Sequence, residues 1–226
     1  MAALMSSALN TEGIGMTSRR TRERMIQRLM EQGITDERVL NAMRNVPRHL
    51  FMNDALASRS YEDTALPIGH GQTISQPYIV AKMTELLIEH GPLNKVLEIG
   101  TGCGYQTSVL SQLVGHIYSI ERIQPLHLKA QQLLADLNIT NVNFLHSDGG
   151  WGYENQAPYD GIIAAAAPPR VPEKLLEQLA VGGIMLIPIG NERGNQELQR
   201  ITRSESGYHY DYLEPVSFVP FLSGRS

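Results

Sequence analysis

Apolar residues near the start of the chain recur at the three- and four-residue spacing of amphipathic helices. Across residues 17 to about 56 this pattern is interrupted at Gly33 and Pro47. Its apolar positions are Met25, Ile26, Leu29, Met30, Val39, Leu40 and Met43. We therefore predict two or three short helices in this region.

A further helix is predicted to begin at Pro77, because proline is favoured in the first turn of a helix. Its apolar face is formed by Ile79, Met83, Leu86 and Leu87. The pair Gly91 and Pro92 ends it. Residues 57–76, just before this helix, mix glycine, proline and hydroxyl residues with little periodicity, which predicts a functional loop or a short hairpin.

From Lys95 onward, short apolar runs alternate with amphipathic segments. This alternation predicts βαβ units and a parallel sheet, and right-handed crossovers make the sheet doubly wound. The predicted strands are residues 96–100, 117–121, 142–148, 160–167 and 184–190, and helices begin near Tyr105, Pro125 and Pro172. A turn is predicted at Gly182 and Gly183, before the last of these strands.

The last part of the chain, residues 191–226, has strand-like segments on both sides of a Ser-Glu-Ser-Gly turn and no intervening helix. It predicts an antiparallel hairpin at the edge of the sheet. The complete pattern is that of an α/β protein with a Rossmann-like, doubly wound, mostly parallel sheet, N-terminal helices and a C-terminal antiparallel hairpin. We expect one domain, residues 17–226, divided into a helical and loop region (17–92), a core (93–190) and the hairpin region. Residues 1–16 show no periodicity and are expected to form a flexible leader.

The amino-acid composition argues against several classes of function. A formal net charge of −4 gives no broad basic surface for nucleic acid. The single cysteine, Cys103, excludes an internal disulfide, and the histidines lack the close spacing of a metal site, so we predict no metal. No apolar run approaches the length that spans a membrane, and we expect a cytoplasmic monomer without a membrane partner.

The segment from Glu98 to Gly104 is rich in glycine, follows an apolar strand and opens a helix. Free N–H groups at a helix N-terminus favour a polar or anionic ligand, so a nucleotide-like cofactor is indicated. The third glycine of the dinucleotide-binding pattern is replaced by Tyr105, which disfavours a nicotinamide-dependent dehydrogenase. A glycine-rich turn that serves only the tight strand-to-helix connection is the structural alternative.

Two acidic residues favour the cofactor site. Glu121 ends the second predicted strand, where a carboxylate can accept hydrogen bonds from both ribose hydroxyls. Asp148 ends the third strand, where it can accept the adenine amino group while the neighbouring N–H contacts the ring. The carboxyl ends of parallel strands meet at one edge of the sheet, so we expect these acids and the glycine loop to lie together.

Four segments in order resemble motifs of the protein-L-isoaspartate O-methyltransferase family, of the bacterial type, within residues 17–222. Residues 96–107 look like its cofactor motif, and residues 65–81 resemble the stretch that marks this family among methyltransferases. Residues 157–163 and 215–220 match as well.

The resemblance implies a class I methyltransferase that uses S-adenosyl-L-methionine to methylate the α-carboxylate of L-isoaspartyl residues in damaged proteins. This reaction initiates repair through a succinimide, with isoaspartyl peptides and proteins as substrates. The resemblance makes Ser75 the active-site hydroxyl and assigns the isoaspartyl main chain to Thr73, Ile74 and Val219. It assigns the cofactor to Glu98, Gly100, Thr101, Gly102, Gly104, Gln106, Glu121, Arg122, Asp148 and Gly149.

Other interpretations stay open from the residues alone. Thr73 and Ser75 precede Pro77, so helix capping is their ordinary explanation, and the resemblance alone reverses that preference. A class I methyltransferase acting on a small molecule or RNA would share residues 95–190, and a non-catalytic cofactor-binding protein would keep the same fold. Cys103 stands where serine is usual in the family, and we interpret it as a small filler rather than a nucleophile.

Overall fold

The structure is a computed structural model that describes residues 9–191 and 194–226. Three helices form its N-terminal part: α1 (Arg19–Glu31), α2 (Glu37–Asn45) and α3 (Pro77–Ile88). The first two confirm the helices predicted from apolar periodicity, and α3 begins at Pro77 as predicted. Two 3-10 segments, Arg48–Phe51 and Asp54–Arg59, follow α2.

A short hairpin precedes α3, as the turn-rich composition of residues 57–76 predicted. Its strands are β1 (Leu66–Gly69) and β2 (Gln72–Ile74), which pair antiparallel. The connecting residues His70 and Gly71 both have positive φ, at 54° and 69°. Two-residue hairpin loops favour this backbone because its twist matches that of the strands. The hairpin therefore places Thr73 and Ser75 at a defined position just before α3.

The centre of the molecule is a seven-stranded sheet with strand order β5-β4-β3-β6-β7-β8-β9. Strands β3 to β7 pair parallel to one another, which confirms the predicted doubly wound arrangement. The parallel strands are β3 (Lys95–Ile99), β4 (His116–Glu121), β5 (Val142–His146), β6 (Tyr159–Ala164) and β7 (Leu179–Gly190), and the helices between them are α4 (Tyr105–Leu110), α5 (Gln124–Asp136) and α6 (Glu173–Gln178).

Alternate residues of the central strands enter two separate apolar clusters, one on each face of the sheet. Val96 and Ile163 belong to the larger cluster, which also contains the buried faces of α1 to α5. Leu97 and Ile162 belong to the smaller cluster, together with Leu175 of α6. The sheet is covered on both faces, as the predicted doubly wound arrangement requires.

The turn predicted at Gly182 and Gly183 is wrong, because strand β7 runs through both residues. The strand contains an irregularity instead: Tyr159 of β6 pairs with Leu179, whereas Gly161 pairs with Ile184. The extra residues of β7 bulge out of the ladder, and Gly182 provides the positive φ of 82° that this requires. A glycine pair typical of a turn thus produces a bulge within a strand.

The antiparallel hairpin at the edge of the sheet is confirmed. It consists of β8 (Gln196–Ser204) and β9 (Gly207–Val216), and β8 pairs antiparallel with β7. The chain then returns across the carboxyl ends of the parallel strands. Pro220 forms a bridge with Ala167, and Ser226 exchanges backbone hydrogen bonds of 2.8 and 2.7 Å with Arg122 and Gln124.

Part of the predicted leader, residues 1–8, lies outside the described residues. Residues 9–16 contact the helical region, since the Thr11 carbonyl accepts a hydrogen bond from Arg22 and the Asn10 carbonyl is hydrogen-bonded to His49.

No helix in the described part of the chain is long and apolar enough to cross a membrane. Within the same residues, no group of three His, Cys, Asp or Glu side chains could hold a metal ion.

Candidate active site

The glycine-rich loop connects β3 to α4 at the carboxyl edge of the sheet. Gly100 and Gly104 have φ of 90° and 86°, a region that residues with a Cβ rarely adopt. Gly104 is the N-cap of α4, and a Cβ there would lie 2.6 Å from Leu134 Cδ1 of α5. Glycine at position 104 is therefore needed both for the backbone and for the packing of α4 against α5.

Glu121 fixes this loop from the end of β4. Its Oε2 accepts the Gly102 N–H at 2.8 Å, and its Oε1 accepts the Ile123 N–H at 2.9 Å. The residue is buried, yet its carboxylate lines the same cavity as Gly100 and Gly102. The predicted proximity of the glycine loop and this acid is confirmed. Each oxygen keeps a lone pair for a further donor.

Glu98 lies beneath the loop and is completely buried. Its Oε2 accepts hydrogen bonds from the hydroxyls of Thr107 and Ser119, both at 2.6 Å, and Ser119 is in turn bonded to Thr101. Its Oε1 has no partner among the described residues. Burial raises the pKa of Glu98 to about 7. A buried acceptor without a donor fits the cationic amino-acid part of S-adenosylmethionine.

Two cavities border this loop, and a third adjoins them. The first is bounded by Gly100, Glu121, Arg122, Gly149 and the segment 219–222. The second contains Glu98, Thr101, Gly102, Cys103 and Gln106. The third is an open groove between Ser75 to Ile79 and residues 215–219. The three cavities share lining residues, and together they form a cleft at the carboxyl edge of the sheet.

Thr73 and Ala165 line all three cavities, and Ser75 lines the second and the third. Ile74 lines the second, and Val219 lines the first and the third. Residues predicted separately for cofactor and acceptor therefore meet at one junction. Ala165 carried no sequence signal, because a small residue after an apolar strand has no distinctive chemistry.

Helix capping does not explain Thr73 and Ser75. The N-cap of α3 is Gln76, which makes no side-chain cap hydrogen bond. The first turn is capped by Asp63 instead, whose Oδ1 accepts the Tyr78 N–H at 2.9 Å. Neither hydroxyl takes part in a hydrogen bond among residues 9–191 and 194–226. Both hydroxyls are available to a ligand.

Val219 is held at the junction by the segment that follows β6. Its carbonyl accepts the Ala167 N–H at 2.9 Å, and the Phe221 N–H donates to the Ala167 carbonyl at 3.0 Å. Among residues 9–191 and 194–226, the Val219 N–H donates no hydrogen bond. An extended peptide could pair with this free donor, as an added strand does.

Asp148 lies outside the first cavity. Its Oδ1 accepts from the Gly150 N–H at 2.8 Å, and its Oδ2 accepts from the Gly224 N–H at 2.6 Å. Arg122 also contacts the C-terminal segment, since its Nε donates to the Gly224 carbonyl at 3.0 Å. The structure brings Gly149 to the cleft and turns the Asp148 carboxylate toward the end of the chain.

Gln106 is oriented by a residue that the sequence did not indicate. Its Nε2 donates to Thr84 Oγ1 at 2.9 Å, and Thr84 in turn donates to the Val80 carbonyl.

Cys103 is buried, and burial raises the pKa of its thiol to about 11. A thiol with so high a pKa is protonated at neutral pH, which fits a packing role and not a nucleophile.

The pKa of Glu98 predicts that cofactor affinity depends on pH. Below pH 7 the carboxyl group is protonated and must lose its proton to face a cation. We expect the affinity for S-adenosylhomocysteine to fall by up to about tenfold per pH unit below 7. Calorimetry between pH 5.5 and 8.5, in buffers of different ionisation enthalpy, measures both the affinity and the released proton. Glu98→Gln is the control, and a wild-type profile as flat as that of the variant contradicts the prediction.

Gly149 allows the loop after β5 to approach β3 closely. A Cβ at this position would lie 2.4 Å from Ile99 Cγ2, whereas the nearest atom to a Cβ at Gly150 is 3.2 Å away. Gly149→Ala should destabilise the fold by about 1–3 kcal/mol and weaken cofactor binding. Denaturant unfolding and calorimetry measure these effects, with Gly150→Ala as the matched control. Equal effects of the two substitutions would argue against a close approach at Gly149.

A doubly wound, mostly parallel sheet with an antiparallel hairpin at its edge, and a glycine- and carboxylate-lined cleft at the carboxyl ends of its strands, has the architecture of a class I, S-adenosylmethionine-dependent methyltransferase. The family described as protein-L-isoaspartate(D-aspartate) O-methyltransferase matches residues 20–226. The chain belongs to this family.

Curated relatives match nearly the whole chain. The protein-L-isoaspartate O-methyltransferase of Cellvibrio japonicus is 58% identical over 217 residues, which are 95% of this chain and 97% of that protein. Protein-L-isoaspartate O-methyltransferase 1 of Marinobacter nauticus is also 58% identical, over 94% of this chain and 96% of the relative.

Solved structures share the fold. One protein-L-isoaspartate O-methyltransferase superposes with a TM-score of 0.80 at 28% identity, over 88% of this chain and 65% of the other. A Plasmodium falciparum protein described by the same enzyme name was solved in complex with S-adenosyl-L-homocysteine. It has a TM-score of 0.75 at 26% identity, over 89% of this chain and 98% of the other.

Proposed function

We propose that this protein transfers a methyl group from S-adenosylmethionine to the α-carboxylate of L-isoaspartyl residues in damaged proteins. The observation that carries the proposal is the junction at which Ser75, whose hydroxyl has no partner among the described residues, lies between the cofactor cavities and an open groove. Family membership supplies the identity of the acceptor.

The residues around the glycine loop fit the cofactor. We assign its nucleoside part to Gly100, Glu121, Arg122 and Gly149, and its amino-acid part to Glu98, Thr101, Gly102, Gly104 and Gln106. Asp148 is assigned to the adenine amino group, as the family resemblance implies. When bound, S-adenosylmethionine supplies an electrophilic methyl group on a sulfonium.

The acceptor requires no general base. A carboxylate with a reference pKa of about 4 is already ionised at neutral pH, so it needs only desolvation and alignment. Holding two reactants in place can contribute on the order of 7–11 kcal/mol. The cleft fits this task, because Ser75 and Thr73 are hydroxyl donors and no histidine lines the three cavities in the described part of the chain.

Ser75 is assigned the catalytic contact. Its hydroxyl donates a hydrogen bond to one oxygen of the α-carboxylate and directs the other oxygen toward the methyl donor. Thr73, Ile74 and the free N–H of Val219 hold the peptide main chain on either side of the abnormal linkage. An extended, flexible peptide segment satisfies this arrangement, whereas a folded helix does not.

The product ester proceeds to repair without a further enzyme group. The backbone nitrogen of the following residue attacks the ester carbonyl, methanol leaves, and a succinimide forms. Hydrolysis of the succinimide yields normal aspartate in part and isoaspartate in part. Repeated methylation therefore shifts the population toward the normal linkage.

Transfer of labelled methyl to matched peptides tests this function. One peptide contains isoaspartate and the other contains aspartate at the same position. We expect base-labile label on the isoaspartyl peptide alone, because carboxyl methyl esters hydrolyse in base. Cofactor binding without transfer to either peptide would contradict the proposal and favour another acceptor, such as a small molecule or RNA, or a non-catalytic binding protein. Action as a monomer in the cytoplasm stays a prediction.

A further inference from the structure

Arg48 is a completely buried arginine in the 3-10 segment after α2. Its Nε donates to the Ser60 carbonyl at 2.8 Å, and one terminal nitrogen donates to the Ser75 carbonyl at 2.7 Å. The guanidinium lies over the ring of Tyr105, 4.6 Å from the centroid. It therefore joins the helical region, the Ser75 segment and the first residue of α4.

The charge of this guanidinium is not paired. None of the ion pairs formed within residues 9–191 and 194–226 includes Arg48, and its second terminal nitrogen has no partner there. Arginine keeps its proton in proteins, so a full positive charge is buried with no carboxylate in ion-pair contact, and the Asp63 carboxylate attracts it only from a longer distance. Burying a lone charge is costly, and carbonyl contacts offset the cost only in part. A purely structural connection could be made by uncharged side chains.

The position of the charge suggests its use. The guanidinium donates to the main-chain carbonyl of Ser75. Ser75 itself lines both the second cavity, which contains Glu98, and the third, the open groove. Because the guanidinium is completely buried, its field reaches the adjoining Ser75 segment through protein, where electrostatic interactions are stronger than in water.

We propose that Arg48 is a positioning residue for methyl transfer: it fixes the Ser75 segment and gives the groove its preference for an anionic acceptor. The inference rests on the proposed function, in which a carboxylate binds beside Ser75. Arg48 acts through Ser75 and through its field, and it makes no contact with the reacting atoms.

Arg22 offers a matched control. It is also buried, it donates to the Thr11 and Arg44 carbonyls and to the Tyr61 hydroxyl, and it lies over the Tyr61 ring at 5.7 Å. Neither arginine lines the three cavities of the cleft. Removing either arginine breaks a comparable set of structural contacts, but only Arg48 contacts Ser75.

The experiment compares two peptides bound to enzyme saturated with S-adenosylhomocysteine. One peptide has the isoaspartyl α-carboxylate, and the other has a carboxamide in its place. Calorimetry gives the ratio of the two affinities for wild type, Arg48→Met and Arg22→Met. We expect Arg48→Met to reduce the preference for the carboxylate by roughly tenfold or more, and Arg22→Met to leave it unchanged. An unchanged ratio in Arg48→Met, or an equal loss in both variants, overturns the inference.

Arg48→Lys separates charge from geometry. Lysine keeps the charge but cannot donate to two carbonyls in the fixed arrangement of a guanidinium. We expect the carboxylate preference to remain and kcat to fall by roughly tenfold, because Ser75 is less well placed. A variant with wild-type kcat contradicts the positioning role.

A backbone substitution tests the same contact if these variants do not fold. An ester in place of the Ser75–Gln76 peptide bond weakens the Ser75 carbonyl as an acceptor and leaves Arg48 intact. A several-fold loss of kcat supports the inference, and wild-type kcat overturns it. Failure of the proposed function looks different: wild-type protein then transfers no methyl to the isoaspartyl peptide, whereas failure of this inference leaves wild-type transfer intact.

Discussion

Replacing Ser75 with alanine should lower kcat by roughly tenfold to a hundredfold while the affinity for S-adenosylhomocysteine stays nearly unchanged. A hydrogen bond to a charged group contributes about 1.5–3 kcal/mol, and here it acts on the acceptor and not on the cofactor. The substitution should change the free energy of unfolding little, because the Ser75 hydroxyl has no partner among the described residues and caps no helix. Methyl transfer to an isoaspartyl peptide and calorimetry with S-adenosylhomocysteine measure the two quantities.

Ser217→Ala is the matched control for this prediction. Ser217 lines the open groove but not the cofactor cavities. The substitution therefore removes a hydroxyl from the same cleft without altering the junction. We expect wild-type kcat for this variant. If Ser75→Ala turns over like Ser217→Ala, the active-site role of Ser75 is excluded. If Ser75→Ala also loses cofactor affinity, the residue supports the loop and not the acceptor.

Local patterns were sufficient for most of the fold. Amphipathic spacing predicted α1 and α2, and alternation of apolar runs with helices predicted the parallel strands, because both signals come from burying one face of an element. Gly182 shows where such signals fail. The glycine permits a positive φ, but whether the chain reverses there or only bulges depends on the pairing of β7 with β6. That pairing is not encoded in the residues around the glycine.

The candidate site was predictable to the extent that its residues lie at strand ends. Glu121 follows from the rule that ligands bind at the carboxyl ends of parallel strands, whereas the assignment of Glu98 and Ser75 came from the family resemblance. The contact between Asp148 and Gly224 joins positions 76 residues apart, and no local pattern indicates it. Arg48 was missed for a similar reason, because an arginine in a polar segment is ordinarily a surface residue and only tertiary packing buries it.

Replacing Glu121 with glutamine should weaken S-adenosylhomocysteine binding on the order of a hundredfold. The carboxylate is proposed to accept both ribose hydroxyls, and charge-assisted hydrogen bonds contribute about 1.5–3 kcal/mol each. It also accepts the N–H groups of Gly102 and Ile123, so an amide, which has one acceptor oxygen, loosens the glycine loop as well. Isothermal calorimetry measures the affinity, and saturating cofactor should restore much of kcat.

Asp160→Asn separates cofactor binding from loop support. Asp160 Oδ2 also accepts two backbone N–H groups, from Asn94 at 2.8 Å and Lys95 at 2.9 Å, but these residues lie at the start of β3, away from the cleft. Both substitutions should lower the free energy of unfolding to a similar extent, because each weakens a carboxylate that holds two backbone donors. Only Glu121→Gln should reduce cofactor affinity. Equal affinities of the two variants would mean that Glu121 supports the loop without contacting the ribose.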